Sequence, residues 1–133
     1  ACLLSLQTRP LSFSCCNAGL CRPLLKRGQQ VEPMERERYR FPLGVDARAS
    51  FEERSQNLEA GDVLLVHTDG ITESRSPGGE FYGVRRLMRL LREMDTGHAS
   101  AGEIRHRIVR EVLAFSGGEK PFDDMALVVV KVL

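Results

Sequence analysis

The sequence has no apolar run close to the roughly 20 residues that a membrane-spanning helix needs. It has no excess of charge of one sign either, since 19 lysines and arginines face 18 aspartates and glutamates. A chain so nearly neutral gives no electrostatic argument for nucleic acid or an anionic membrane as a partner. The first residues also lack the basic start and long apolar centre of a secretion signal. These absences predict a cytoplasmic protein with no nucleic-acid partner and no membrane segment.

Several common catalytic motifs are missing as well. The sequence contains no G-x-S-x-G elbow, no P-loop, no G-x-G-x-x-G and no H-E-x-x-H. No cysteine belongs to a C-x-x-C pair, and none has a histidine near it in sequence. We therefore expect reduced thiols without a metal or redox function at all cysteine positions, which are Cys2, Cys15, Cys16 and Cys21.

The hydrophobic pattern predicts short strands first, within a chain of 133 residues that is long enough to bury a core. Strands are expected on both sides of turns at residues 8–10 and at Gly28, and again in residues 51–58. Residues 63–66 are apolar without a break, which is typical of a strand covered on both faces. The final sequence, MALVVVKVL, is rich in β-branched residues and predicts one more strand.

Two helices and one irregular segment complete the pattern. Apolar residues recur at helical spacing after Gly83, and a second helix is predicted to open at Ser100, where Glu103 completes a capping box. Residues 35–50 are charged and irregular, and the sequence FPLG at 41–44 predicts a loop with a buried apolar anchor. The order of elements indicates an α+β fold in which helices cover a sheet.

Two acidic sequences lie at the ends of predicted strands. In GDVLLVHTDGITE the apolar run ends at Asp69 and Gly70, and Asp-Gly after a strand is a common turn signal. In KPFDDMALVVV, Asp123 and Asp124 directly precede the last strand. If that strand lies antiparallel beside residues 63–66, Asp69 and Asp123 meet at one edge of the sheet. Converging carboxylates can hold Mg²⁺ or Mn²⁺, and water activated by such a metal can attack phosphorus or a carbonyl carbon.

The segments around these acidic residues resemble those of a known family. The sequence NLEAGDVLLVHTDGITESRSPGGEFYGVRRL, followed by two helices and FDDMALVVV, is similar to the C-terminal part of PPM-type (type 2C) metal-dependent protein phosphatases. Within that family it resembles the bacterial branch of SpoIIE and RsbU. The upstream sequences CNAGLCRPLLKRG and FPLGV are similar to further segments of that branch, so the resemblance covers nearly the whole chain.

The resemblance implies a fold, a reaction and partners. The fold is a layered one, an antiparallel β-sandwich flanked by helices, and residues 1–133 form the C-terminal portion of a single phosphatase domain. The reaction is hydrolysis of phosphoserine or phosphothreonine on a protein, with two Mn²⁺ or Mg²⁺ ions in the complete domain. The implied substrate is an anti-sigma-factor antagonist of the STAS type in a bacterial regulatory pathway, and an upstream sensory domain is expected to control the activity.

The same resemblance assigns roles to individual residues. Asp69 matches the aspartate of the family's Asp-Gly motif, which binds a catalytic metal, and Asp123 matches the late aspartate that contacts the same metal. Asp124 occupies the neighbouring position, which helps to order the site. Gly70 lets the main chain turn tightly beside the ion. Glu73 supports the loop that follows and has no chemical role.

Two nearby residues are interpreted as structural, and the chain departs from the family in two ways. Asp62 is predicted to be a turn residue and His67 a packed histidine within its strand. The histidine of the family's Asn-Ala-Gly-His segment is replaced by Leu20. No part of the sequence matches the Gly-Asp-x-x-Asp and Asp-x-x-Gly-His-Gly elements of the family's first half. We therefore expect this chain alone to be inactive or nearly so, and a phosphatase-like scaffold without catalysis remains the alternative.

The arginines of the two helices suggest a third function, nucleic-acid binding. Nearby glutamates and the near-neutral net charge favour a solvated surface instead. A contact with a regulatory domain is the further hypothesis for the same faces. The arginines concerned are Arg85, Arg86, Arg89, Arg92, Arg105, Arg107 and Arg110.

Overall fold

Two antiparallel sheets lie face to face, and helices cover the outer face of one of them. The computed structural model describes residues 1–34, 41–118 and 123–133. In these residues the strands are β1 Cys2–Thr8, β2 Leu11–Asn17, β3 Leu24–Arg27, β4 Gln30–Pro33, β5 Glu53–Asn57, β6 Val63–His67 and β7 Leu127–Lys131. The helices are α1 Asp69–Thr72, α2 Gly83–Glu93 and α3 Ala101–Phe115.

The first sheet has the order β1-β2-β5, and all its pairings are antiparallel. Its first two strands form the predicted hairpin. Along β2 the inward residues alternate with half-exposed ones, so that Phe13 and Cys15 are buried. The Sγ atoms of Cys2 and Cys15 lie 3.3 Å apart across this hairpin. All four cysteines lie within the described residues, and none of them forms a disulfide.

The second sheet has the order β4-β3-β6-β7 and is antiparallel as well. Every residue of β6 is buried, as its unbroken apolar sequence predicts. The register pairs Val63 with Lys131 and His67 with Leu127. The conditional prediction of an antiparallel pairing is therefore confirmed, and the end of β6 lies beside the beginning of β7.

The two faces of β6 contribute to two separate parts of the core. Leu64 and Val66 point into the cluster between the sheets, where they meet Phe13. Val63 and Leu65 point the other way, into the cluster beneath the helices. Burying one such side chain contributes about 1.5–3 kcal/mol, so this alternation fixes the sheet between its two covering layers. Residues of the helix-side cluster include Leu24, Ile71, Leu87, Leu91, Ile104, Ile108 and Val112.

Both long helices have identifiable ends. The predicted capping box is present at the start of α3, where Ser100 Oγ accepts from the Glu103 amide at 3.2 Å and Glu103 Oε2 accepts from the Ser100 amide at 2.7 Å. At the C-terminus of α2 the buried Lys26 donates to the main-chain carbonyls of Leu91 at 2.7 Å and Met94 at 3.0 Å. A cation at this end of a helix complements the helix dipole. No helix of the described residues is both long and apolar enough to cross a membrane.

One part of the loop prediction was wrong. Residues 35–40 lie outside the described part, while residues 41–50 have no helix or strand, as expected. Phe41 and Leu43, however, are 41% and 61% exposed, so FPLG contains no buried apolar anchor. The loop is instead fixed through its proline, because Pro42 lies so close to Gly19 that a Cβ there would be 3.2 Å from Pro42 atoms.

Candidate functional site

The sequence Thr-Asp-Gly after β6 forms a helical turn. Thr68 is extended, with φ −87° and ψ 165°, and Asp69 is the first residue of α1. The prediction of a simple turn at Asp69 was therefore incomplete. The exposed Asp69 side chain accepts a hydrogen bond from the Gly70 amide through Oδ1 at 3.1 Å, and the start of a helix is a favourable place for a carboxylate.

Thr68 joins this turn to the segment before β7. Its amide donates to the Ala126 carbonyl at 3.1 Å, and its Oγ1 accepts from the Ala126 amide at 2.9 Å. The same hydroxyl donates to the Asp124 carbonyl at 3.0 Å. One threonine thus extends the β6–β7 pairing by both its main chain and its side chain, and it brings Asp69 beside the acidic pair. Thr68 stands directly before the Asp-Gly signal, but no sequence pattern predicts its role.

Gly70 lies in very close contact with the main chain of Asp123 and Asp124. A Cβ built on this buried residue would lie 2.4 Å from the Asp124 carbonyl oxygen and 3.3 Å from that of Asp123. No side chain fits in this space. The main chain of the acidic pair therefore packs directly on the residue that follows Asp69, which gives Gly70 its role at the site.

The carboxylates of this region are accessible to solvent. Asp69, Asp123 and Asp124 are all exposed, and Asp123 accepts a hydrogen bond from the Asp124 amide through Oδ1 at 2.7 Å. Carboxylate oxygens are the ligand type that Mg²⁺ and Mn²⁺ prefer. Within residues 1–34, 41–118 and 123–133, however, no three acidic, histidine or cysteine side chains are grouped to hold an ion. The donor atoms fit a hard cation, but the residues that the structure describes supply only part of a ligand set.

A cavity of about 260 Å³ opens beside these residues. Its lining includes Gly70, Glu73, Arg75, Phe81 and Asp123. A larger cavity of about 710 Å³ lies between the edges of the two sheets, where β3, β4 and β5 contribute its walls. None of the predicted metal residues lines the larger space, so the smaller cavity is the one related to the candidate site.

The residues after α1 are held by Ser74. Its buried Oγ donates to the Gly70 carbonyl at 2.7 Å and lies 3.8 Å from the Met125 sulfur. The Glu73 amide donates to the Asp69 carbonyl at 2.7 Å, while the Glu73 side chain is exposed. Glu73 was predicted to support this loop, and it does so through its main chain. The side chain that packs in the loop is that of Ser74.

Asp62 and His67 have the structural surroundings that the sequence indicated. Asp62 is buried, and its carboxylate accepts from Arg27 at 2.6 Å and from the Glu59 amide at 2.8 Å. His67 is 3% exposed, its Nδ1 lies 3.0 Å from the Thr68 carbonyl oxygen, and burial lowers its pKa. Both side chains are buried, so neither is a solvent-accessible ligand.

Leu20 has an apolar environment. Its main-chain amide and carbonyl both bind the side chain of Asn17, at 2.9 Å each, which closes the turn after β2. The Leu20 side chain packs against the cluster between the sheets. The leucine that replaces the family's histidine therefore contributes packing.

Arg86 is the arginine of α2 whose contacts are most clearly structural. It donates to the Phe81 carbonyl at 2.6 Å, pairs with Glu80 at 3.0 Å, and its guanidinium lies 4.9 Å from the centre of the Phe115 ring. These contacts fasten the segment before α2 to α3. Arg86 therefore has a structural role within the chain.

Comparison with known proteins places these observations in a family. The profile of Stage II sporulation protein E (SpoIIE) matches residues 1–133. Protein IcfG of Synechocystis sp. (strain PCC 6803) is 35% identical over 89 residues, which are 66% of this chain and 13% of the relative. Stage II sporulation protein E of Bacillus subtilis (strain 168) is 30% identical over 115 residues, which are 86% of this chain and 13% of the relative.

Solved structures show the same architecture. The PP2C phosphatase domain of SpoIIE from Bacillus subtilis, solved with a fragment of its regulatory domain, matches with a TM-score of 0.79 and 27% identity over 95% of this chain and 36% of that chain. The same phosphatase domain, presoaked with Mn, matches with a TM-score of 0.78 and 25% identity over 99% and 56%. The SiaA-PP2C domain of Pseudomonas aeruginosa shares the fold, with a TM-score of 0.81 and 17% identity over 98% and 50%.

The two antiparallel sheets and the outer helices are thus those of a PP2C-type phosphatase domain. Within that class the chain belongs to the SpoIIE family, because the family profile matches its full length. The chain spans 13% of the length of the curated relatives. It spans 36–56% of these solved chains.

Proposed function

We propose that this chain forms part of a metal-dependent phosphatase that hydrolyses phosphoserine or phosphothreonine on a protein. The observation that carries the proposal is the packing of the Asp123 and Asp124 main chain on Gly70, which brings the predicted metal residues to one edge of the sheet. Membership of the SpoIIE family and the PP2C fold support the same reaction.

In this proposal Asp69 and Asp123 are the carboxylate ligands of a catalytic Mn²⁺ or Mg²⁺, and Asp124 orders the segment beside them. Gly70 keeps the two segments close enough to serve one ion. The chemistry supplied by the bound metal is charge neutralisation at the phosphoryl group and activation of water. Because the described residues offer only part of the ligand set, turnover requires a complete domain that supplies the remaining ligands of the dinuclear site.

The substrate we propose is a phosphorylated anti-sigma-factor antagonist of the STAS type, and an upstream sensory domain is the proposed regulator. The support is the resemblance to the SpoIIE and RsbU branch over nearly the whole chain. A cytoplasmic location agrees with this pathway and with four cysteines that form no disulfide.

The experiment compares three proteins, each consisting of a complete phosphatase domain that contains this chain. They are the natural sequence, Asp69→Asn, and Asp62→Asn as a control in which a buried structural aspartate is changed. We expect Mn²⁺-dependent phosphate release from a phosphopeptide by the natural sequence and the control, and loss of Mn²⁺ affinity and of turnover in Asp69→Asn. Equal metal affinity of the natural sequence and Asp69→Asn would contradict the proposal. The 133-residue chain alone is expected to release little or no phosphate.

The second candidate is a phosphatase-like scaffold that binds proteins without catalysis. It is favoured by the absence of a three-residue metal group among the described residues and by Leu20 in place of the family's histidine. Calorimetric titration with Mn²⁺ separates the two functions. A scaffold would give the same heats for the complete domain and for its Asp69→Asn variant, whereas the phosphatase would not.

A further inference from the structure

Part of the lining of the smaller cavity comes from a short hairpin that contains Arg75 and Phe81. Arg75 and Phe81 pair across it as an isolated antiparallel bridge, and the Tyr82 amide donates to the Ser74 carbonyl at 2.8 Å. The loop between them is closed by hydrogen bonds from the Glu80 and Gly79 amides to Ser76. These hydrogen bonds fix the main chain of the hairpin at Arg75 and Phe81.

The Arg75 side chain has an oriented guanidinium group. Its Cζ lies 4.3 Å from the centre of the Phe81 ring, a distance at which a cation and an aromatic ring attract each other. Arg86 fixes Phe81 in turn, by its hydrogen bond to the Phe81 carbonyl. Among the residues that the structure describes, no carboxylate forms an ion pair with Arg75. An exposed cation is thus held beside the cavity and has its charge available for a ligand.

We propose that Arg75 binds the phosphoryl group of the phosphorylated side chain in this cavity, an inference that rests on the proposed function. A guanidinium group matches two phosphate oxygens with two parallel N–H donors. The volume of about 260 Å³ is below the roughly 300–1,000 Å³ of sites for drug-sized ligands, and it suits one modified side chain. Glu73 and Asp123 line the same space, so Arg75 is the cation that offsets them on the protein side.

The test uses the complete domain with four substitutions. Arg75→Gln removes the charge, Arg75→Lys keeps the charge without the planar fork, and Phe81→Leu removes the ring that orients the guanidinium. Arg107→Gln is the matched control, because Arg107 is an exposed arginine of α3 on another part of the surface. kcat/KM is measured for a phosphopeptide and for a small aryl phosphate, and thermal unfolding checks that each variant folds.

Arg75→Gln is expected to lower kcat/KM for both substrates about tenfold to a hundredfold, as loss of a hydrogen-bonded charge does. Arg75→Lys and Phe81→Leu should fall between this variant and the natural sequence, and Arg107→Gln should change nothing. An unchanged kcat/KM in Arg75→Gln would overturn the inference. A loss confined to the phosphopeptide would also overturn it, since Arg75 would then contact the peptide and not the phosphoryl group.

A binding measurement separates this inference from the proposed function. Inorganic phosphate is titrated calorimetrically into the Mg²⁺-loaded domain, so that no turnover is needed. Weaker phosphate binding by Arg75→Gln, with Mg²⁺ affinity unchanged, supports the role of Arg75 even if no peptide is hydrolysed. Equal phosphate binding by the two proteins contradicts it, even if the natural sequence is an active phosphatase.

Discussion

Substitution of Gly70 by alanine tests the close packing on which the candidate site depends. In an ordinary helical position this change would stabilise a protein by roughly 0.5–1 kcal/mol, because glycine loses more backbone freedom on folding than alanine does. At Gly70 the added methyl group would lie 2.4 Å from the Asp124 carbonyl oxygen and 2.9 Å from its carbonyl carbon. Both atoms belong to the main chain, so no flexible side chain can move away to make room.

The steric cost of the added methyl group is larger than the gain from reduced backbone freedom. The methyl carbon would be about 1 Å inside normal van der Waals contact, and forcing a group into a packed interior costs roughly 1–3 kcal/mol. We therefore expect Gly70→Ala to lower the free energy of unfolding by about 1–2 kcal/mol. Since the segment before β7 must move away from α1, the variant should also bind Mn²⁺ more weakly in the complete domain.

The assay is urea unfolding of the 133-residue chain, followed by Mn²⁺ titration of the complete domain. Gly78→Ala is the matched control, because a Cβ at Gly78 would meet only the Ser76 Oγ at 3.7 Å, an ordinary contact. The control should leave both the unfolding midpoint and the Mn²⁺ affinity unchanged. If Gly70→Ala is as stable as the natural sequence and binds Mn²⁺ equally well, the two segments do not pack as described.

Three further substitutions test the structural residues. Asp62→Asn should lower the free energy of unfolding by about 2 kcal/mol, measured by urea unfolding, because it weakens a buried carboxylate's pairing with the half-exposed Arg27. Lys26→Met should cost about 2 kcal/mol, since it leaves buried carbonyls at the end of α2 without their donor, and a cost near zero would refute that role. Ser100→Ala should cost about 1 kcal/mol at neutral pH. Hydrogen bonds from the Ser100 amide and then from its hydroxyl lower the pKa of Glu103, so their stabilisation is present above the pKa of the unfolded side chain. The difference from the natural sequence should narrow as pH falls below this value, and Ser5→Ala, at an exposed strand position, serves as the control.

Much of the fold follows from local patterns in the sequence. The unbroken apolar run of β6 predicts burial on both faces, and Ser100 with Glu103 predicts the capped start of α3, because both signals depend on neighbours in sequence. The pairing of β6 with β7 could be stated only as a condition. It depends on residues about 60 positions apart, and a single sequence contains no direct sign of such contacts.

The residues whose roles no sequence pattern predicts act through tertiary contacts. In the sequence Thr68 is an ordinary threonine at the end of a strand. Only the folded structure shows that its hydroxyl forms hydrogen bonds with the main chain of Asp124 and Ala126. Lys26 looks like a surface lysine, since lysine is seldom buried, and only the position of α2 over β3 explains its burial. Arg75 has no motif of its own, and its relation to the cavity appears only when the hairpin to Phe81 is formed.

The central claim is that Asp69 and Asp123 bind the same metal ion, and anomalous diffraction from a Mn²⁺-soaked crystal of the complete domain tests it most directly. The expected result is a manganese peak with a carboxylate oxygen of each aspartate at a direct coordination distance, which is about 2.0–2.1 Å for a cation as small as Mg²⁺. A manganese peak that is bound by other residues, with both of these carboxylates further away, would contradict the claim.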